Sequence, residues 1–418
     1  MTTTAPAVAT AESAQAQELG VVDSLKAYRD KLRGGDVGSL PAVLGLIVLF
    51  VIFSALRPDT FKTAANFANL INQGVAVTTI SMGLIFVLLL GEIDLSAGVT
   101  AGTCGAVMGW TLFNHHWPWW AGILACLLTG AVIGLFIGLV VTRLGIPSFV
   151  VTLATFLSLQ GVMLAIIGEG GTVPITDKQV LAINNNNLPI WAGWLLFAVC
   201  VGGYALLGYS RMISRRRSGL ATQSVLVWGL KSLILAVLLG YATYILNKDR
   251  SFNKAVTIHG VPQVVVLMLV LLLGLTFLLV RLPFGRHVYA IGGNAEAARR
   301  AGINVKLVKT ICFMICSTMA GVAGILYASR NNSISPTTGT GTDLLLAVGA
   351  AVIGGCSLFG GKGRVIDAVI GGLVVAVISN GMLLLGLKAA WVYIFTGLVL
   401  LVAATVDALS RRRAAAAG

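Results

Sequence analysis

Apolar residues along most of this chain do not alternate with polar ones. They run unbroken for about the length of a membrane crossing, pause at a short polar segment and resume. A transmembrane barrel strand would alternate with period two, whereas runs apolar all round are those of helices immersed in lipid. About 20 such residues cross roughly 30 Å of hydrocarbon as a helix. The pattern predicts twelve spans, at 38–56, 70–90, 97–113, 119–142, 148–168, 189–209, 224–246, 263–281, 307–328, 344–361, 365–385 and 391–409. Gly354-Gly355 and Gly360-Gly361 interrupt the tenth, which reads as a broken or re-entrant helix.

The polar pauses divide the chain. Residues 1–37 are Ala/Thr-rich and then amphiphilic, without the basic-then-apolar pattern of a cleaved signal, and read as a cytoplasmic tail. Residues 38–410 form the transmembrane domain, and 411–418 a second cytoplasmic tail. Asn184–Asn187 before Pro189 is an outer loop, and Ser210–Ser218 with its arginine triplet an inner one. The sixth and seventh spans, beside these loops, carry few polar groups and read as packing or lipid-facing helices.

At 57% hydrophobic and 11% charged residues, composition excludes a soluble protein with a large core. The 50 glycines suit close helix–helix approach in lipid. A net charge of +14 invites a nucleic-acid reading, but 20 of the 29 Lys and Arg residues fall in inner segments and 8 in outer ones. That bias is the positive-inside rule, with both termini cytoplasmic. Cys104, Cys126, Cys200, Cys312, Cys316 and Cys356 all lie in apolar runs, so they read as small packing residues rather than a disulfide framework or metal set.

Acidic groups between apolar runs are costly and mark function by default. Gly91-Glu-Ile-Asp-Leu-Ser-Ala-Gly98 holds two of them, and either Asp94 or Ser96 is placed to cap the helix that follows or to line a solute path. Asp343 opens a second Gly-spaced helix seven spans later; that odd offset would invert the two halves, as in transporters with interrupted helices. Asn72, Gln73, Thr152, Gln160 and Asn380 are isolated polar residues within spans. Their amides and hydroxyls suit a neutral polyol, although interhelical bonding accounts for any one of them. The candidate path is therefore Asn72, Glu92, Asp94, Ser96, Thr152, Gln160, Asp343 and Asn380. Gly355–Gly363 superficially resembles a phosphate loop, but Lys362 is followed by Gly363 and Cys356 stands where the first Gly belongs, so it reads as a tight turn. Trp117, Trp119 and Trp120 beside His115 and His116 read as interface anchors, with sugar stacking as the alternative. No catalytic or metal-binding constellation emerges.

Residues 285–304 are polar and Gly-punctuated, wedged between membrane-length runs. Asn294 stands as an N-cap before Ala295, Ala297, Ala298 and Ala301, with Glu296 in the first turn, Arg299 and Arg300 later, and Gly302 as a stop. A helix of about two turns is marginal alone in water, so it predicts a partner groove.

Three motifs now coincide: Glu92-Ile-Asp-Leu-Ser96, Tyr289-Ala-Ile-Gly-Gly-Asn294 with Glu296-Ala-Ala-Arg299 and Gly302-Ile303, and Gly354-Gly-Cys-Ser-Leu358 with Gly360-Gly361. In that order they resemble the permease of monosaccharide importers of the ATP-binding-cassette class, ribose/xylose type, over about Ala65 to Leu409. The sixth and seventh spans, Glu92, and Ile146-Pro-Ser-Phe-Val-Val-Thr-Leu153 look closest to the xylose permeases. One departure is Asp367, where the family usually has a small residue. The expected fold is all-α, a polytopic bundle of about twelve transmembrane helices with an inverted repeat and interrupted helices. The resemblance implies a homodimer in the bacterial inner membrane, a twin-cassette ATPase and an extracytoplasmic sugar-binding protein. ATP and Mg belong to the ATPase, with no cofactor in this chain, which performs no chemistry. Arg286, Tyr289, Gly292, Asn294, Glu296, Ala298, Arg299 and Gly302 are the implied ATPase-coupling residues. The rival readings are a sugar–proton symporter, needing carboxylates deep in the bundle, and a membrane-embedded enzyme such as an acyltransferase.

Overall fold

The computed structural model describes residues 18, 19, 38–218, 220, 222–251, 257–388, 390–399, 401, 402 and 405. The C-terminal tail and most of the N-terminal one lie outside the described residues. The fold is all-α. The first helices are α1 (Leu40–Leu56), α2 (Pro58–Phe61), α3 (Ala64–Leu89), α4 (Ala97–Phe113), α5 (Trp119–Leu144) and α6 (Ser148–Ile167). After them come α7 (Lys178–Asn185), α8 (Ile190–Arg217), α9 (Val225–Asn247), α10 (Val264–Val280), α11 (Pro283–Gly293) and α12 (Ala295–Arg300). The chain ends with α13 (Val305–Asn331), α14 (Asp343–Gly354), α15 (Val365–Leu384) and α16 (Ala390–Val399). Short strands β1 (Glu18–Leu19) and β3 (Thr222–Gln223) pair in parallel, and β2 (Val173–Pro174) pairs antiparallel with β4 (Ser333–Ile334).

Each of the twelve apolar runs lies on a helix, but not all of those helices, as described, have the length of a crossing. Among the described residues seven helices are long and apolar enough to span, and α10 with α11 makes an eighth candidate bent by 70°. α14 has 12 residues, about 18 Å at 1.5 Å per residue, and falls short of the hydrocarbon thickness. It ends at Gly355, whose φ of +113° ends the helix. Two boundaries move outward. α3 begins at Ala64 rather than 70, because the Thr63 hydroxyl accepts from the Asn66 amide at 3.2 Å. α8 runs to Arg217 rather than 209, with its arginines in the last turn beyond the apolar run.

Burial sorts the helices. α3, α4, α13, α14 and α15 pack together with α5 on one side and form the core around Phe86, Phe313, Met82 and Leu326. α8 and α9 pair with each other and leave Leu206, Leu233 and Val237 exposed, as lipid-facing helices do. All six cysteines are free thiols. Asp367, the departure from the family pattern, accepts the Arg364 amide at 2.8 Å and its guanidinium at 2.9 Å, so the pair caps α15.

The centre of the bundle is built on glycine. Gly98, Gly102, Gly105 and Gly109 recur along one face of α4, where a Cβ would collide in turn with Gly339, Thr338, Ile334 and Val173. The backbone of 334–342 therefore lies in the groove these glycines leave, running inward from β4 beside α4. Non-helical backbone at membrane depth is tolerated where protein surrounds it. It delivers the start of α14 to the start of α4: a Cβ on Gly98 would stand 2.4 Å from the Gly339 oxygen and 3.3 Å from the Leu344 nitrogen. The two half-helices begin side by side and run apart, α4 towards β2 and β4, α14 towards the start of α15.

Candidate functional site at the inner turn and the half-helix starts

Segment 91–96 climbs from the end of α3 to the start of α4. At its foot Glu92 forms an ion pair with Lys309 on α13, both side chains largely buried. Ile93 N donates to the Ser148 hydroxyl at 3.3 Å, which ties the turn to the start of α6. Asp94 is fully buried, and its Oδ1 accepts from the Ser96 amide at 2.9 Å and the Ser96 hydroxyl at 2.6 Å. Ser96 therefore does not cap α4; its hydroxyl is turned back as a donor, and Asp94 braces the turn before the helix. Asp94 Oδ2 is buried and closes no hydrogen bond of good geometry, with the Cys316 thiol and the Ala97 amide beside the carboxyl. The donors of the α4 start and an acceptor thus stand beside the α14 start. Thr152 spends its hydroxyl on the Ser148 carbonyl at 2.9 Å and stands 3.4 Å from the Ile93 oxygen, so it props this turn.

A second polar group sits on α3, α13 and α15. Asn380 Nδ2 donates to Asn66 Oδ1 at 3.0 Å and to Gln73 Oε1 at 3.4 Å. Arg330 donates to the Gln73 carbonyl at 3.3 Å. Asn72 Oδ1 and Asn380 Oδ1 are buried acceptors without a partner. The half-buried Asp343 stands beside Tyr327, whose buried hydroxyl closes no hydrogen bond of good geometry. Of the path candidates, Glu92, Asp94, Ser96 and Thr152 thus gather at one turn, and Asn380 lies on the α3–α15 side with Asn66 and Gln73, a group to which no hydrogen bond joins Asn72 among the described residues. Asp343 stands at the α14 start. Among the described residues no hydrogen bond joins Gln160 to either group.

The face bearing α11 and α12 adds a third layer. Asn294 caps α12 by accepting from the Ala297 amide at 2.9 Å, and Glu296 pairs with Arg299 at 2.9 Å and Arg300 at 3.1 Å. Those two guanidiniums hold the exposed Glu296 carboxyl below the usual range. Gly302, with φ of +85°, follows the last turn. Tyr289 donates to the Gly363 carbonyl at 2.7 Å, and Gly292 lies against Leu89 and Gly361. The 356–363 stretch is a tight turn, closed by Ser357 N to Lys362 O at 2.8 Å. Arg286, Glu296, Arg299 and Gly302 are exposed, whereas Ala298 is 5% exposed and packs into this chain's own core. The assignment of Ala298 to a partner-facing surface is corrected: Ala295, Ala297 and Ala301 face outward instead.

Asn66, Tyr327, Lys309 and Arg330 are partners that sequence reasoning missed. Lys309 and Arg330 counted there only as charges at span ends, and Asn66 lay before the expected start of its span.

Residues 66–404 match the protein family described as "Branched-chain amino acid transport system / permease component". The xylose transport system permease protein XylH of Escherichia coli (strain K12) is 35% identical over 374 residues, 89% of this chain and 92% of that protein. XylH of Haemophilus influenzae is 33% identical over 387 residues, covering 92% and 99%. The ribose import permease protein RbsC of Escherichia coli (strain K12) is 29% identical over 366 residues, covering 88% and 92%. No solved structure matches the chain.

Proposed function

Since the chain belongs to this family of transport-system permease components, we propose that it is the membrane subunit of an ATP-driven monosaccharide importer, for D-xylose or a related pentose. The sugar reading comes from relatives named for xylose and ribose transport, and the amide group at Asn66, Gln73 and Asn380 supports it. Amides offer the donors and acceptors a polyol needs.

The observation that carries the coupling reading is continuity. The exposed helix α12 follows α11 directly, α11 rests on the end of α3 at Leu89, and three residues later Glu92 opens the segment leading to Asp94 and the half-helix starts. A force applied at α12 by a nucleotide-binding partner has a packed route to the two interrupted helices. Two copies of the chain would enclose the path, with a twin-cassette ATPase at the face bearing α12 and a sugar-binding protein at the other. The termini would then lie in the cytoplasm, consistent with the basic residues of the inner segments.

Reconstitution tests this directly. Proteoliposomes holding the chain, its ATPase and its binding protein should take up xylose only with ATP, and the chain alone should hydrolyse none. Uptake driven by a proton gradient without the ATPase would replace this reading with a symporter.

A further inference from the structure

The α8–α9 hairpin takes no part in the layers described above. Its helices meet through Trp228, whose indole donates to the Ala205 carbonyl at 3.1 Å and packs on Tyr209 with centroids 5.7 Å apart. From Ala205 α8 continues twelve residues to Arg217, about 18 Å, whereas α9 starts three residues before Trp228. α8 therefore outruns its partner, and a cleft of about 690 Å³ opens between their inner ends. Tyr204, Arg211, Arg215, Thr222, Trp228 and Lys231 line it.

Positive residues at the inner ends of helices are ordinary, but these converge. Arg211 and Arg215 are four apart and share a face of α8, and both are exposed. The lining grades along the helix from Tyr204 and Leu207 to Arg211 and Arg215, the order of acyl chain, interface and headgroup met by a lipid. Neither α8 nor α9 carries an Asp or Glu. The Thr222 hydroxyl, on the cleft wall, is buried and has no hydrogen-bond partner. Lys231 stands one turn deeper than Trp228 on the cleft wall.

We propose that this cleft binds the headgroup of an anionic phospholipid, with Arg211 and Arg215 on the phosphate and the acyl chain running along Tyr204 and Leu207. Basic pockets between helices at the membrane surface take such headgroups. The hairpin's lipid-exposed sides make lipid the occupant with direct access.

Retention of lipid by the purified full chain, read by native mass spectrometry after exposure to phosphatidylglycerol or phosphatidylcholine, tests the site. Phosphatidylglycerol should be retained preferentially, and excess inorganic phosphate should not displace it. Each near-surface basic residue contributes about fivefold, so Arg211→Gln with Arg215→Gln should lose about twenty-five-fold. Arg143→Gln with Arg281→Gln, two exposed charges outside the cleft, should leave retention unchanged. Equal retention of the two lipids, displacement by phosphate, or the same loss in both double variants overturns the proposal. All four arginines are exposed, so folding is not at stake in either pair.

Discussion

Gly292 lies against the carbonyl of Leu89 so closely that a Cβ built on it would stand 1.9 Å from that oxygen. The same oxygen accepts the Gly361 amide at 2.8 Å. Three segments distant in sequence, α11, the end of α3 and the 356–363 turn, therefore meet at one backbone atom. Only a residue without a side chain permits that approach. Because the 91–96 segment leaves from this point, a shift of α11 would reach it through backbone contact rather than through adjustable side chains.

Gly292→Val is expected to force α11 off this seat. Overpacking of a tight contact costs about 1–3 kcal/mol, which a bundle of this size survives, while the coupling layer is displaced. Sugar-stimulated ATP hydrolysis in the full complex should fall about tenfold or more. Gly293→Ala, one residue on and with nothing within 4 Å, should behave as wild type. Equal activity in the two variants would remove Gly292 from the coupling route.

The two alanines at the centre of α12 should separate partner docking from the chain's own packing. Ala297 is exposed and Ala298 buried. Ala297→Trp should abolish co-purification of the ATPase while the chain elutes from sizing columns unchanged. Ala298→Trp should lower the thermal midpoint of the chain itself. Retained ATPase binding in Ala297→Trp would mean that α12 does not face the partner.

The helices were legible because lipid demands unbroken apolar runs, and α12 because Asn294, Glu296 and Gly302 obey local end rules that need no tertiary information. The direction of Ala298 was not legible: alanines at 295, 297, 298 and 301 cover most of a short helix, so composition names no buried face. The span expected at 344–361 stops at Gly354, since hydropathy continues through the turn although the backbone reverses at Gly355. The 334–342 segment is small and polar, and nothing in its own residues places it inside the bundle. Its only signature lies in another helix, the glycines at 98, 102, 105 and 109 that leave room for it. Ion pairing across the bundle, Glu92 with Lys309, joins residues too distant in sequence for spacing to reveal.

Asp94→Ala should lower transport while leaving assembly with the ATPase intact. The substitution removes the acceptor for the Ser96 amide and hydroxyl, about 1–3 kcal/mol in a buried turn. Asp94→Asn keeps a carbonyl oxygen for those bonds and loses only the carboxylate. If Asn restores uptake, the role of Asp94 is to brace the turn. If both variants fall about tenfold with ATPase binding preserved, the charge itself serves the path. Wild-type uptake in both would confine Asp94 to structure.

The last prediction concerns where sugar preference resides. Asn380 joins Asn66 and Gln73, and two acceptors, Asn72 Oδ1 and Asn380 Oδ1, remain buried without partners. A buried amide that closes its bonds only in part is poor as glue, because each open acceptor costs about 1–3 kcal/mol; it is suited to a solute that supplies hydroxyl donors. Single bonds of this kind are worth around 1 kcal/mol, too little for stringent selection, so the binding protein should set most of the preference. Exchanging that protein should therefore change which pentose is taken up. Asn380→Leu should raise the sugar concentration for half-maximal uptake about fivefold, a loss of about 1 kcal/mol, with basal ATP hydrolysis unchanged. Replacement by the near-isosteric Asn380→Asp adds a charge that a neutral sugar cannot satisfy and should impair uptake more. An unaltered half-saturation value in Asn380→Leu, together with a lowered thermal midpoint, would assign the amide group to helix packing and remove it from the sugar path.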